Sequence, residues 1–401
     1  MKIKVEGITA ILFFAIIFGM FIGLLADKDK SPVHEFLVEY RTEVLPGTPI
    51  FDRLSSAIQI AEDVIYENTY QKEAYNDLYG FVQKMLGKRI ISDAGYGEIY
   101  RTTYDQIIFK VEKKEKEVEQ SLRSITELKH ELDEIGIPLL YVQAPFKLTD
   151  SEQQIPINKK DYVDANVNLF LKGLDENNID YLDLRPLLRN GTKTQKELFF
   201  DTDHHWRIET AFDATGYIED ELNKDYGFHI DSKYKDIKNY NTKTFKNCYL
   251  GSMGRRTGQL YSGLDDFTLI TPKFKTDYTL YQYDYGAETV FNGSFKNAVL
   301  VKEYMQEKAP VDNNRYAVYH GDNTELIFQN HLVNDGRVLM IKDSFGIPVY
   351  SFLSLGVSEV RALDLRLFKD SIVEYAKKNK PDVVVILYNG DSFNKEMFTF
   401  S

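Results

Sequence analysis

The chain has 401 residues, 43% of them hydrophobic, which is room for a large core or for about two or three domains. Its 49 basic and 61 acidic side chains give a net charge of −12, and this excludes the basic footprint of a nucleic-acid binder. The single cysteine, Cys248, excludes an internal disulfide and has no histidine near it in sequence, so it reads as structural.

The N-terminus carries a targeting signal. Lys2 and Lys4 precede an apolar run from Ile8 to Leu25, and Asp27, Lys28, Asp29 and Lys30 end it. At about 1.5 Å per residue the run spans about 27 Å, close to a bilayer core of about 30 Å. No small-x-small cleavage site follows, so residues 1–30 read as an uncleaved signal anchor. The upstream lysines stay in the cytoplasm, which puts the bulk of the chain outside the membrane. Gly19 and Gly23 have the spacing of a helix-dimer face, a pattern that small residues in a membrane helix also give by chance. An exported chain with one cysteine fits a bacterium that does not rely on extracytoplasmic disulfides.

Residues 31–110 read as a polar, tyrosine-rich and mostly helical region, with Ser55 to Tyr79 at mixed helical spacings and short strands within Arg89 to Phe109. From Phe109 to Leu132 apolar residues recur among many lysines and glutamates, which predicts an amphipathic helix with a solvated face. The pattern then changes, and residues 111–401 read as one α/β domain. Leu139 to Val142 is a short apolar strand, Tyr162 to Leu174 a helix and Ile179 to Leu184 a strand. The alternation returns near the C-terminus. Arg337 to Ile341, Glu359 to Leu363 and Val383 to Tyr388 are strands, and Pro348 to Leu355 and Leu367 to Lys377 are helices. This predicts an α/β sheet with helices on both faces. Ligands in such sheets sit at the carboxyl ends of strands, where Ser344 and Asn389 fall. The segment of about 229–332, rich in Tyr, Asn and Gly, reads as a β-rich insertion outside the parallel sheet.

The chemistry concentrates in Phe200 to Trp206 (FDTDHHW), which holds two of the seven histidines and the only tryptophan. Ile208, Ala211, Phe212, Thr215, Ile218 and Leu222 predict a helix just after it and place Asp203 near the N-cap. Asp203 is then either a plain cap or the acid of an Asp-x-His pair, orienting His205 as a base. A zinc site is the rival reading of Asp203, His204 and His205, with His320 or His331 needed to complete it. The stronger reading has no metal and no cofactor. Ser344 follows a strand and precedes a helix, a turn that exposes a hydroxyl and aims helix N-terminal amides at a developing oxyanion. Strand alternation puts Lys342 and Asp343 on opposite sides, with one of the two free to face solvent. Gly251 and Asn389 are oxyanion candidates, through a closely approaching N–H and a side-chain amide. Arg255, in Gly254 to Gly258, is a candidate contact for an anionic glycan.

Asp203-His204-His205-Trp206 resembles the signature of the bacterial DHHW protein family. Leu184-Arg185, Leu250 to Gly254, Tyr319 to Asn323 and Lys342 to Phe345 extend the likeness, which runs from about Gly136 to the C-terminus. That family is similar to the SGNH-hydrolase-like domain of alginate O-acetyltransferases. The resemblance implies a three-layer, flavodoxin-like SGNH sheet with circularly permuted motif order. It makes Ser344 the nucleophile, His205 the base and Asp203 the orienting acid. Lys342 departs from the pattern, standing where those enzymes have glycine. The activity implied is acyl transfer to a cell-surface polysaccharide, with a membrane-bound O-acyltransferase as acyl donor partner. An esterase with the same triad, or a non-catalytic glycan-binding or assembly protein of the same fold, are the alternatives.

Overall fold

The computed structural model describes residues 72–149, 153–284 and 286–400, with scattered helical positions between 36 and 64. The expected anchor, residues 1–30, lies outside the described residues. Among those that are described, no helix is long and apolar enough to cross a membrane. The chain forms two units, residues 1–79 and 80–401. In the first, the described positions are helical and Ile60 and Val64 are buried. The sheets and the site belong to the second.

In chain order, helix α1 (Lys72–Met85) leads to an antiparallel three-stranded sheet of β1 (Ile90–Asp93), β2 (Gly97–Arg101) and β3 (Ile107–Phe109). The amphipathic pattern expected from Phe109 becomes helical only at α2 (Glu115–Glu134), because Ile107 to Phe109 are buried on both sides as a strand. Then come β4 (Leu139–Gln143), α3 (Val163–Glu176), β5 (Tyr181–Asp183) and α4 (Ile208–Asp225). A hairpin-like pair follows, β6 (Tyr240–Tyr249) and β7 (Asp265–Pro272), with the short helix α5 (Ser252–Thr257) between them. Next are β8 (Tyr278–Asp284), β9 (Ala287–Gly293), β10 (Glu325–Asn330) and β11 (Arg337–Lys342). Helix α6 (Gly346–Leu353), β12 (Glu359–Leu363), α7 (Ile372–Asn379) and β13 (Val383–Tyr388) complete the fold.

The main sheet has the order β5-β4-β13-β11-β12-β10-β8-β9. Its first five strands are parallel. The last three are antiparallel. The segment read as an insertion outside the parallel sheet is therefore partly its continuation: β10, β8 and β9 extend the same sheet in alternating directions. A strand of either direction satisfies an open edge, and the antiparallel one needs no crossover helix.

The central strands alternate between two cores. Val142, Met340, Val360 and Val385 pack with α4 and α6, through Ala211, Ile218, Val349 and Phe352. Tyr141, Leu339, Ile341, Val384 and Ile386 pack on the opposite face with α2, α3 and α7, through Ile125, Leu128, Phe170 and Ile372. Burying each such aliphatic side chain stabilises by roughly 1.5–3 kcal/mol. The result is a three-layer α/β sandwich, the SGNH-hydrolase-like arrangement that the resemblance implied. The carboxyl ends of β11, β13, β12 and β4 bring Ser344, Asn389, Asp364 and Lys147 to one edge.

Candidate active site

Ser344 sits in a turn that buried polar groups hold. Asp343 is 4% exposed. One of its oxygens accepts the Phe345 N–H (2.9 Å), and the other accepts the Asn389 N–H (2.6 Å), the Asn389 side-chain amide (2.8 Å) and the Ser392 hydroxyl (2.7 Å). Burial pushes the Asp343 carboxyl up, and these donors oppose the shift. The side-chain amide of Asn389 is thus spent on Asp343. The first amides of the α6 turn are also committed, Gly346 to the Asp343 carbonyl (3.0 Å) and Ile347 to the Ser344 carbonyl (3.3 Å). The Ser344 N–H makes no hydrogen bond among the described residues. Helix α6 starts at Gly346, two residues before the expected Pro348, since proline is tolerated in a first turn. A Cβ on Gly346 would come within 2.6 Å of Lys342 Cβ.

Lys342 does not face solvent, and neither does Asp343. The Lys342 ammonium reaches Asp322 (2.6 Å) and Asp364 (3.0 Å), and Arg366 joins the same two carboxylates. Lys342 ends β11 as an ordinary strand residue without positive φ, so the backbone there does not require glycine.

The Asp-x-His segment is an irregular loop closed at its base. Phe199 pairs with Trp206, and the Phe200 N–H donates to the His205 carbonyl (3.3 Å). Asp265, buried on β7, accepts the N–H groups of Asp201 (2.8 Å) and Thr202 (2.7 Å), while Arg207 neutralises it at 3.1 Å. Asp203 is not near the N-cap of α4, because the loop continues to Arg207, which takes the cap position. Its carboxylate instead gathers side-chain donors. Oδ1 lies 3.0 Å from His205 Nδ1, 3.1 Å from His204 Nδ1 and 3.1 Å from Ser252 Oγ, and Tyr249 donates its hydroxyl to Oδ2. Burial pushes this carboxyl up, but the two histidines and their hydrogen bonds outweigh it and hold the group well below the usual carboxylate range.

His205 joins the two segments. Its Nε2 is 2.7 Å from Ser344 Oγ. An anionic Asp203 holds the proton on Nδ1 and leaves the Nε2 lone pair for the serine hydroxyl. Tyr316 stacks on the imidazole at 4.1 Å and 18°. Trp206 donates its indole N–H to the Phe345 carbonyl (3.2 Å), which braces the residue beside Ser344. His204 has its Nδ1 3.0 Å from Ser252 Oγ, and burial followed by the charge of His205 pushes its pKa down.

Asp203, His205 and Ser344 are therefore brought together, while the three other candidates are not aimed at the serine. Gly251 donates its N–H to the Thr202 hydroxyl (2.8 Å) and packs so tightly that a Cβ would lie 2.3 Å from Asp203 Cβ. Arg255 donates from Nε to the Leu250 carbonyl (3.1 Å). Asp203, His204 and His205 form the one cluster among the described residues able to offer three metal-ligand atoms, within 4.8 Å of one another. His320 does not complete it. Its ring lies between Phe291 and Phe328, with Nε2 3.3 Å from the Ala298 carbonyl, and burial lowers its pKa to about 4. His331 pairs with Thr279 at 2.9 Å. Sequence reasoning missed Tyr249, Asp265 and Tyr316, and gave no role to Ser252 or to Lys147, which resembles part of a Pro-x-Lys element of the acetyltransferases. Tyr249 immediately precedes the stretch Leu250 to Gly254, and Ser252 lies within it, which is the available signal.

A serine turn at the carboxyl end of a central parallel strand, faced by an Asp-x-His loop earlier in the chain, defines the SGNH hydrolase-like class in its permuted order. Residues 103–246 match the family described as the SGNH hydrolase-like domain of acetyltransferase AlgX, a stretch that includes Asp203 and His205 and stops before Ser344. Two structures of Bacillus cereus PatB1 are similar to the chain. One, with a sulfonyl adduct, is 22% identical with a TM-score of 0.63, covering 78% of this chain and 100% of that one. The other is 24% identical with a TM-score of 0.62, covering 78% and 99%. A DHHW family protein from Eubacterium siraeum is 15% identical with a TM-score of 0.58, covering 77% and 96%. The chain matches no curated protein.

Proposed function

We propose that this chain is a membrane-anchored, extracytoplasmic serine O-acetyltransferase that modifies a cell-envelope polysaccharide through an acyl-enzyme at Ser344. The observation that carries the reading is the 2.7 Å contact of His205 Nε2 with Ser344 Oγ, with Asp203 on the far imidazole nitrogen. Segments 139 residues apart in the chain meet there. The match to an acetyltransferase domain over residues 103–246 favours acetyl as the group carried. The apolar run Ile8 to Leu25 supports the anchor, and an anchored enzyme is placed to take its acetyl group from a membrane-bound O-acyltransferase.

In this mechanism Ser344 Oγ attacks the acetyl carbonyl carbon and its proton passes to His205 Nε2. The carbonyl electron pair moves to oxygen, opposite the unengaged Ser344 N–H. Collapse breaks the bond to the donor's oxygen, which takes the proton from His205 and leaves an acetyl ester on Ser344. A glycan hydroxyl then repeats the sequence, losing its proton to His205. Ser344 regains that proton as the acetyl group leaves on the sugar. A positioned base contributes roughly 10²–10⁴-fold. Asp203, held anionic, stabilises the imidazolium that forms in both steps.

The test is intact mass of the full chain in detergent after brief exposure to 4-nitrophenyl acetate, beside Ser344→Ala and His205→Ala. The expected result is one acetyl group added, absent in Ser344→Ala and strongly slowed in His205→Ala. Candidate glycans then separate transfer from hydrolysis. Absence of both adduct and ester turnover overturns the reading. Turnover that survives Ser344→Ala and disappears with a chelator points to the metal cluster instead.

A further inference from the structure

Lys147 is fully buried at the end of the segment following β4. Its ammonium forms no ion pair among the described residues. Its two partners are main-chain carbonyls, those of Ile107 (3.0 Å) and Asp203. The charged groups that face it are Asp265, Asp203 and Asp201, which favour the ammonium, and Arg207, which opposes it; burial dominates and lowers its pKa to about 8.

A buried ammonium is costly, and an apolar side chain of the same length would fill this volume without that cost. What the amine adds is a pair of donors at one place. The Ile107 N–H already donates to the Asp201 carbonyl (2.8 Å), a single main-chain bond between β3 and the loop. Among the described residues no loop N–H donates to the Ile107 carbonyl. Lys147 stands there instead and bonds that carbonyl and the Asp203 carbonyl together. The loop has no regular hydrogen-bond pattern of its own at Asp203, and Gly251 presses on the same residue, with its Cβ position 2.6 Å from Asp203 Cα. Asp203 is clamped between these contacts.

Resting on the triad reading above, we infer that Lys147 is a positioning residue. It fixes the Asp203 main chain against β3, so that the carboxylate meets His205 Nδ1 before any substrate arrives. Misplacement of a reacting group by about 1 Å costs on the order of 100-fold in rate. A clamp of this kind acts on the chemical step and leaves ester binding unchanged.

The experiment compares full-length wild type, Lys147→Met and Lys147→Gln in detergent. Acylation of Ser344 by 4-nitrophenyl acetate is followed across ester concentrations, with the downfield imidazole N–H resonance of His205 and the melting temperature measured alongside. The expected result is a maximal acylation rate lower by about 10–100-fold in Lys147→Met with a nearly unchanged KM. The downfield resonance is weakened or lost in a protein that still melts cooperatively, and Lys147→Gln, which keeps a donor, falls between. Variants that melt lower but acylate at the wild-type rate with the resonance intact overturn the inference, as do variants that do not fold. Wild type that forms no acyl-enzyme fails the triad reading itself, a result separate from any effect of Lys147.

Discussion

The Tyr249 hydroxyl donates to Asp203 Oδ2, the carboxylate oxygen that His205 leaves free. Both oxygens of the buried acid are thereby engaged, and neither can swing away from the imidazole. Burial, and then the Asp203 charge, push the Tyr249 hydroxyl well above its ordinary range, so it stays a donor at any working pH. Tyr249→Phe removes one charge-assisted bond, worth about 1.5–3 kcal/mol. The expected outcome is a stability loss of that order and a several-fold slower acylation of Ser344, measured by denaturant unfolding and by stopped-flow ester kinetics. Wild-type values in both would show that Tyr249 does not hold Asp203.

Gly251 is needed for closeness, not for backbone freedom, because its φ of −73° suits any residue. In Gly251→Ala the new methyl would lie 2.3 Å from Asp203 Cβ and 2.6 Å from its Cα. A backbone neighbour cannot rotate away, so the Asp203 loop must shift. Overpacking of this kind costs about 1–3 kcal/mol, and the shift slows acylation by roughly 10–100-fold. Melting temperature and acylation rate of the variant check the two effects separately.

The parts of the molecule that sequence made legible are those with a short-range pattern. Glu359 to Leu363 and Val383 to Tyr388 are strands with the expected bounds, the second because a strand buried on both faces shows as an unbroken apolar run. Asp203, His205 and Ser344 were legible because each stands in a compact motif. Partners chosen by the fold were not. Tyr249 reaches Asp203 from 46 residues away, and Lys147 meets it from 56. No periodicity reports such pairs. Asp203 was read toward a helix cap because a carboxylate before a helix usually serves as one, and only the loop through Arg207 shows otherwise. Alternation leaves one of Lys342 and Asp343 free to face solvent because it sees the strand and not the carboxylates of Asp322 and Asp364 that cover the Lys342 end.

That covered lysine has a measurable role in stability. Burial pushes the Asp364 carboxyl up, but Lys342 and Arg366 outweigh it and hold it far below the usual range. A depressed carboxyl contributes stability that is present above its unfolded pKa and lost as pH falls through its folded value. Lys342→Ala leaves Asp364 with Arg366 alone and costs about 3 kcal/mol near neutral pH. The deficit shrinks below the ordinary carboxylate range, where Asp364, held by Arg366 alone, takes up a proton before it does in wild type. Urea midpoints of variant and wild type at pH 7 and at about pH 2.5 decide the point, and a variant as stable as wild type at pH 7 would show that Lys342 contributes nothing through the ion network.

Glu219 gives the opposite pH dependence. It lies on α4, 3% exposed, and burial raises its carboxyl from the usual 4.5 to about 8, with Lys235 opposing and Asp220 adding to the shift. Its folded value lies above the unfolded one. From 4.5 to about 8 the unfolded chain therefore releases this proton while the folded chain keeps it, and stability falls as pH rises through that window. Glu219→Gln keeps the shape of the protonated acid and cannot ionise. The variant is expected to match wild type near pH 4.5 and to exceed it by roughly 1–3 kcal/mol at pH 8. Thermal melts at both pH values read the difference directly. A gain that is the same at both, or a loss at pH 8, would mean that Glu219 is ionised in the folded chain and that Lys235 compensates its burial.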